Sequence, residues 1–269
     1  MSMEIIGYFC AMLVGVSLGT LGSGGSILTV PIMVYLMHVN PVDATGYSLF
    51  VVGITSAIGT GTFIRKDLVD IKTAVIFAIP SIISVFLTRK FLIPAIPNPV
   101  ITVSSFVVSK ELFIMLFFAL LMMVVAYTMI RNDDLKDIEE IEIRQPDYSW
   151  LKFIGFVSGI LTGLTGAGGG FIIIPALVLF AKVSIRTSVG TSLLIITANS
   201  FIGFGGELLT KHEVIDYKFL FAFAFFSVIG IFIGLRLSLK ITATQLKKTF
   251  GWFILITGIY VFVKEFFFR

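Results

Sequence analysis

The sequence predicts an all-α polytopic membrane protein. It should contain two five-segment repeats, about eight long helices plus two short broken ones, with the second repeat inverted relative to the first. Three observations lead there. Hydrophobic residues make up 57% of the chain and charged residues only 13%, with a mean hydropathy of +1.03, more apolar than a water-soluble protein of this size needs. The charges cluster and leave apolar runs of roughly 20 residues, the length that crosses a bilayer core. Finally, a shift of 144 positions lays Gly22 on Gly166, Gly24 on Gly168, Gly25 on Gly169, Pro31 on Pro175, Ser48 on Ser192 and Ser56 on Ser200. A two-residue slip then brings Asp70 onto Asp216 and Lys72 onto Lys218.

Residues 5–21 form the first expected span, and Gly15 and Gly19 give it a face that another helix backbone can approach closely. It is read as part of the fold, since no basic segment of a cleaved signal precedes it. The loop Gly22-Ser23-Gly24-Gly25-Ser26 follows. Residues 27–37 then make a helix only ~16 Å long, too short to cross alone, with Pro31 in its first turns. After a turn at 38–41, Asp43 is expected to cap the next helix, with Thr187 at the matching position in the second half. Residues 47–64 form a span studded with hydroxyls, and 71–87 a span containing Pro80 and closed by Arg89 and Lys90. Residues 92–109, with three prolines, read as an extended or partly interfacial loop, and 112–130 as a plain hydrophobic span. The first repeat thus occupies 1–130, a polar linker 131–150 and the second repeat 151–269. Within the latter, 151–165, a short segment 171–181, 188–209, 219–239 and 250–268 repeat the scheme.

The net charge of +4 reflects loop Lys and Arg, not a nucleic-acid surface. If the short segments count as crossings, each repeat crosses an odd number of times and most basic residues fall on one side. That asymmetry favours inverted halves with both termini outside. Cys10, the one cysteine, is expected to pack as a small apolar residue.

Two Gly-interrupted breaks at matching places point to a ligand site between the halves. Gly22, Ser23, Gly24, Gly25 and Ser26, with Gly166, Ala167, Gly168, Gly169 and Gly170, would present bare backbone N–H groups at the starts of short helices, where the dipole favours an anion. The plainer alternative is that the glycines only allow close packing. Ser48, Thr191, Ser192 and Asn199 could add side-chain donors, or simply bond their own helices. Glu207 is a candidate coupling carboxylate, with an interfacial charge as the alternative. Arg65, Arg89, Arg186 and Arg236 read as interfacial anchors, and Arg65 or Arg236 could line an anion vestibule. His38 and His212 lie in loops and make no metal site. There is no HExxH, GxSxG or P-loop pattern, so neither an enzyme nor an ATP-driven pump is expected, and no cofactor.

The stretches GLTGAGGGFIIIPALV and SVGTSLLIITANSFIGF, with the first-half versions GTLGSGGSILTVPIMV and ATGYSLFVVGITSAIG, resemble the TauE/SafE sulfite exporter family of membrane transporters. The resemblance covers essentially the whole chain. It implies a multi-pass protein of a bacterial or archaeal cytoplasmic membrane that moves small anions such as sulfite or organosulfonates. Tyr47 departs from the pattern, standing where the second half has Thr191, and Ser23 and Ser26 replace glycine-like positions. The expectation is a secondary transporter for a small, sulfur-containing oxyanion. A passive anion channel, or a non-transporting membrane assembly or sensor partner, is the alternative. Expected partners are the anion and the lipid bilayer. A coupling proton or sodium ion and a second copy of the chain stay open.

Overall fold

In an apolar solvent a chain must pair its peptide groups with one another, and local helices do this most simply. The computed structural model describes residues 2–22, 25–103, 106–131, 147–209, 215–237 and 243–267. Among them are eight long helices: α1 (Ser2–Leu21), α3 (Pro41–Ile64), α4 (Ile71–Leu87), α6 (Lys110–Arg131), α7 (Tyr148–Thr165), α9 (Ile185–Leu208), α10 (Tyr217–Leu237) and α11 (Ala243–Phe267). Two short helices, α2 (Ser26–Tyr35) and α8 (Gly170–Phe180), follow the glycine loops. Five helices are long and apolar enough to cross a membrane by length and composition: 41–64, 71–95, 110–131, 186–208 and 217–237.

The side chains are partitioned for lipid. Phe9, Leu13, Ile79, Ile83, Val124, Phe221, Phe225 and Ile256 lie on the outside. Ser26, Thr45, Ser48, Thr55, Ser56, Thr191, Ser192, Asn199 and Ser200 are all buried. A water-soluble protein shows the opposite preference.

Several boundaries differ from the sequence expectation. α3 begins at Pro41, and Asn40, not Asp43, caps it by accepting from the Val42 amide at 2.9 Å. Likewise Ser184, not Thr187, caps α9. In α3 the cause is Pro41, whose fixed φ pre-organises the first helical position and moves the start upstream. α4 does not stop at Arg89 and Lys90. It continues through a π-helical segment, Thr88–Leu92, and a last turn α5, Ile93–Ala95. Pro94 lacks the N–H that would extend the ladder, and the helix ends one residue later. The rest of the expected loop holds an antiparallel hairpin, β1 (Ile101–Val103) with β2 (Phe106–Val108), in register Ile101↔Val108.

The packing is crossed between the halves. α1 packs most extensively on α10, α4 on α7, α3 on α9, and α6 on α11. Small residues make the first two contacts close. A Cβ on Gly15 would lie 1.8 Å from the Ser227 carbonyl oxygen, and one on Gly159 would lie 2.3 Å from that of Ser81. These contacts match in sequence, Gly15 with Gly159 at the shift of 144 and Ser81 with Ser227 after the two-residue slip. The expected GxxxG face is therefore a backbone-to-backbone seam. Gly15→Val should cost at least the ~1–3 kcal/mol of an overpacked contact. Gly61→Val, where nothing lies within 4 Å, should not. Thermal unfolding in detergent, with monodispersity on a sizing column, checks the difference.

Candidate functional site

The two breaks meet at the centre of the bundle, each held by the opposite half. Ser48 of α3 donates to the Gly166 carbonyl at 2.8 Å, and Ser192 of α9 lies 3.2 Å from the Gly22 carbonyl. The Ser26 hydroxyl, at the start of α2, bonds the Ala167 carbonyl of the other loop. Gly22 and Gly166 both have left-handed backbone, φ +70° and +69°. A Cβ on Gly166 would sit 2.1 Å from the Thr45 carbonyl, and one on Gly22 would sit 2.5 Å from Val189. Thr45 and Val189 are themselves a matched pair at the 144-residue shift.

The frame is matched, but the chemistry within it is not. Ser158 and Thr162, one turn apart on α7, are fully buried and face Gly169: a Cβ there would lie 2.8 Å from Ser158 Oγ and 2.2 Å from Thr162 Oγ1. Neither hydroxyl has a hydrogen-bond partner among the described residues. The Gly168 and Gly169 amides carry no hydrogen bond among the described residues, whereas Gly166 donates to Thr162 and Ala167 to the Thr165 hydroxyl. At the matching positions the first half has Val14 and Leu18, both buried. Among the described residues two unpartnered hydroxyls therefore lie together on the α7–α8 side, while the first half keeps Thr29 Oγ1 of α2 unpartnered.

Beside this lies a buried ion pair. Arg89, in the π segment, is 0% exposed; its Nη1 donates to Glu207 Oε2 of α9 and to Thr45 Oγ1 of α3, each at 3.0 Å. Thr45 links the pair to the second loop, since its carbonyl lies against Gly166. Gly46 provides the room: a Cβ there would lie 3.0 Å from the Glu207 side chain. Among the described residues no group of three or more His, Cys, Asp or Glu could hold a metal ion.

Comparison with known proteins fits this architecture. The pattern of the family described as Sulfite exporter TauE/SafE matches residues 8–261, nearly the whole chain. The chain belongs to the sulfite exporter TauE/SafE family. A Xylella fastidiosa protein described as a probable membrane transporter is 28% identical over 257 residues, spanning 93% of this chain and 91% of that one. The probable membrane transporter YunE of Bacillus subtilis is 30% identical over 259 residues, spanning 88% and 89%. No solved structure matches the chain. It is a multi-pass membrane protein of a transporter family.

In this TauE/SafE member the sequence candidates separate into three groups. Gly22, Gly25, Ser26, Ser48, Gly166 to Gly170 and Ser192 come together at the crossing, with the Ser26 and Ser48 hydroxyls on loop carbonyls and the Ser192 hydroxyl shared between its own helix's Val189 carbonyl at 2.8 Å and that of Gly22 at 3.2 Å. Ser23 and Gly24 lie outside the described residues. Thr191 and Asn199 stand apart from the loops. Thr191 Oγ1 accepts from the Asp70 amide at 2.9 Å, and Asn199 donates to Ser81 Oγ at 2.7 Å, leaving its own Oδ1 without a partner. Tyr47, the departure from the family pattern, does the same work as Thr191: its hydroxyl accepts from the Asp216 amide at 3.4 Å. Arg65 and Arg236 are exposed at helix ends, and Glu207 is drawn inside by Arg89.

Sequence reading missed Ser158, Thr162, Thr45 and the burial of Arg89. The available signal was divergence inside the duplication, a polar residue facing an apolar counterpart. Gly166→Ala combines a left-handed φ with a backbone clash and should cost at least ~1–2 kcal/mol of stability. Gly205→Ala, with open space around it, should be near neutral. Unfolding midpoints of the two variants in detergent test this pair.

Proposed function

We propose that the protein is a secondary transporter that moves a small oxyanion, a sulfur oxyanion or organosulfonate, across the cytoplasmic membrane. The observation that carries this reading is the partnerless pair Ser158 and Thr162 facing Gly169, next to the open amides of Gly168 and Gly169. Buried donors without acceptors are costly in an apolar interior, and an anion supplies only acceptors. Neutral donors at the start of α8 bind such a ligand without placing a full charge in lipid. The matched seams α1–α10 and α4–α7 give two bodies that can rock about the fixed crossing, as inverted halves would. The loop serines then act as braces in this conformation, available to the anion when the halves move.

Purified protein in proteoliposomes is expected to show saturable oxyanion uptake that responds to pH, sodium or an opposing anion gradient. Flux indifferent to all three would favour the passive channel, and absence of flux for every oxyanion offered would sink the reading. Each hydrogen bond to a charged ligand contributes about 1.5–3 kcal/mol. Ser158→Ala with Thr162→Val should therefore weaken uptake affinity about tenfold or more while the protein still inserts.

A further inference from the structure

Arg89 carries an asymmetry that anchoring does not explain. The 146-residue shift that lays Ser81 on Ser227 and Val85 on Ile231 puts Arg89 on Leu235, and the 144-residue shift puts Glu207 on Phe63. The surroundings follow suit: Gly46 faces Glu207, while its match Gly190 faces Phe63. One side of the crossing thus has a charged pair where the other has hydrocarbon. The π segment, a distortion that often marks functional positions, follows α4, whereas the matching described residues 234–237 of α10 are α-helical.

The pairing of Arg89 is also incomplete. Nη1 serves Glu207 and Thr45, but Nε and Nη2 have no partner, although the side chain is fully buried. Those two nitrogens share the edge of the guanidinium plane that grips two oxygens at once. Were the pair there only to hold helices together, that edge would be a cost with nothing in return.

We propose that the Nε/Nη2 edge of Arg89 is an oxyanion-binding fork, and that Glu207 takes up a proton when the anion arrives. This rests on the anion-transport reading above and adds a charged ligand and a coupling ion to it. With Glu207 ionised, Arg89 is already balanced. A bound monoanion would leave one excess negative charge in a low-dielectric interior, and a proton from the aqueous side onto Glu207 removes it. Among the described residues the other groups placed near Glu207 are mostly uncharged. α3 contributes the uncharged Thr45 and Gly46. Lys110 of α6, half-buried, is a second cation within electrostatic reach of Glu207, and of the neighbouring Glu111. The fork selects monoanions with at least two oxygens on one face, such as hydrogensulfite or a sulfonate, over halide.

The test measures binding of sulfite, thiosulfate, methanesulfonate and chloride to purified protein by calorimetry, with flux of the hits in proteoliposomes. Arg89→Lys keeps the charge and loses the fork; oxyanion affinity should fall about tenfold or more. Arg89→Leu with Glu207→Phe copies the other side of the molecule. It should fold with an unchanged or higher Tm and lose oxyanion binding. Glu207→Gln should bind more tightly and lose the acid stimulation of flux. Wild-type affinity in both Arg89 variants overturns the fork and leaves the transport reading standing. Acid-stimulated flux retained in Glu207→Gln overturns the proton's place on Glu207. A wild-type protein that neither binds nor moves any of the oxyanions overturns both readings.

Discussion

Peptide groups at a helix break inside lipid have no water to turn to, and this requirement governs the centre of the bundle. The chain meets it by exchange. Ser48 of the first half reaches the second loop, Ser192 of the second half reaches the first, and Ser26 reaches across between the loops. Neither break is satisfied by its own half alone. The left-handed glycines and the close approach of Thr45 and Val189 leave almost no freedom in how the loops sit. Part of what the loops leave unsatisfied faces α7, and the functional reading starts from that part.

The residues that match between the halves and those that differ serve separate ends. Where the halves agree, the shared residues position backbone: Gly15 and Gly159 at the seams, Asp70 and Asp216 at the entries of α4 and α10. Even Tyr47 and Thr191, which differ in size, bring a hydroxyl to the same kind of amide. Where the halves differ, one of them is polar inside. Val14 and Leu18 stand at the positions matching Ser158 and Thr162, and Phe63 and Leu235 at those matching Glu207 and Arg89. The frame can therefore be matched while the ligand chemistry is one-sided.

Most of the fold was legible because lipid makes composition a strong signal. Apolar run length located the long helices, and the repeated Gly-and-Pro pattern located both short ones. The helix starts were harder to read, since Asn40 and Ser184 compete with equally good capping residues three positions on. The end of α4 was hidden because a basic pair normally marks an interface, and nothing local distinguishes an arginine held inside by a glutamate over a hundred residues away. The glycine loops were legible as a meeting point. Which hydroxyls stay unsatisfied there depends on tertiary geometry, so Ser158 and Thr162 passed as ordinary helix residues while Thr191 and Asn199 drew notice.

The crossed seams also bear on how the molecule is made. α1 finds its close partner in α10, so it has no seam to occupy until that much later helix has been synthesised. Its glycine face and the buried serine beside it must wait in lipid, or against a temporary neighbour in the insertion machinery. Biogenesis of this architecture is in that sense a late, concerted closure, and a truncated chain would leave its most polar surfaces stranded in hydrocarbon.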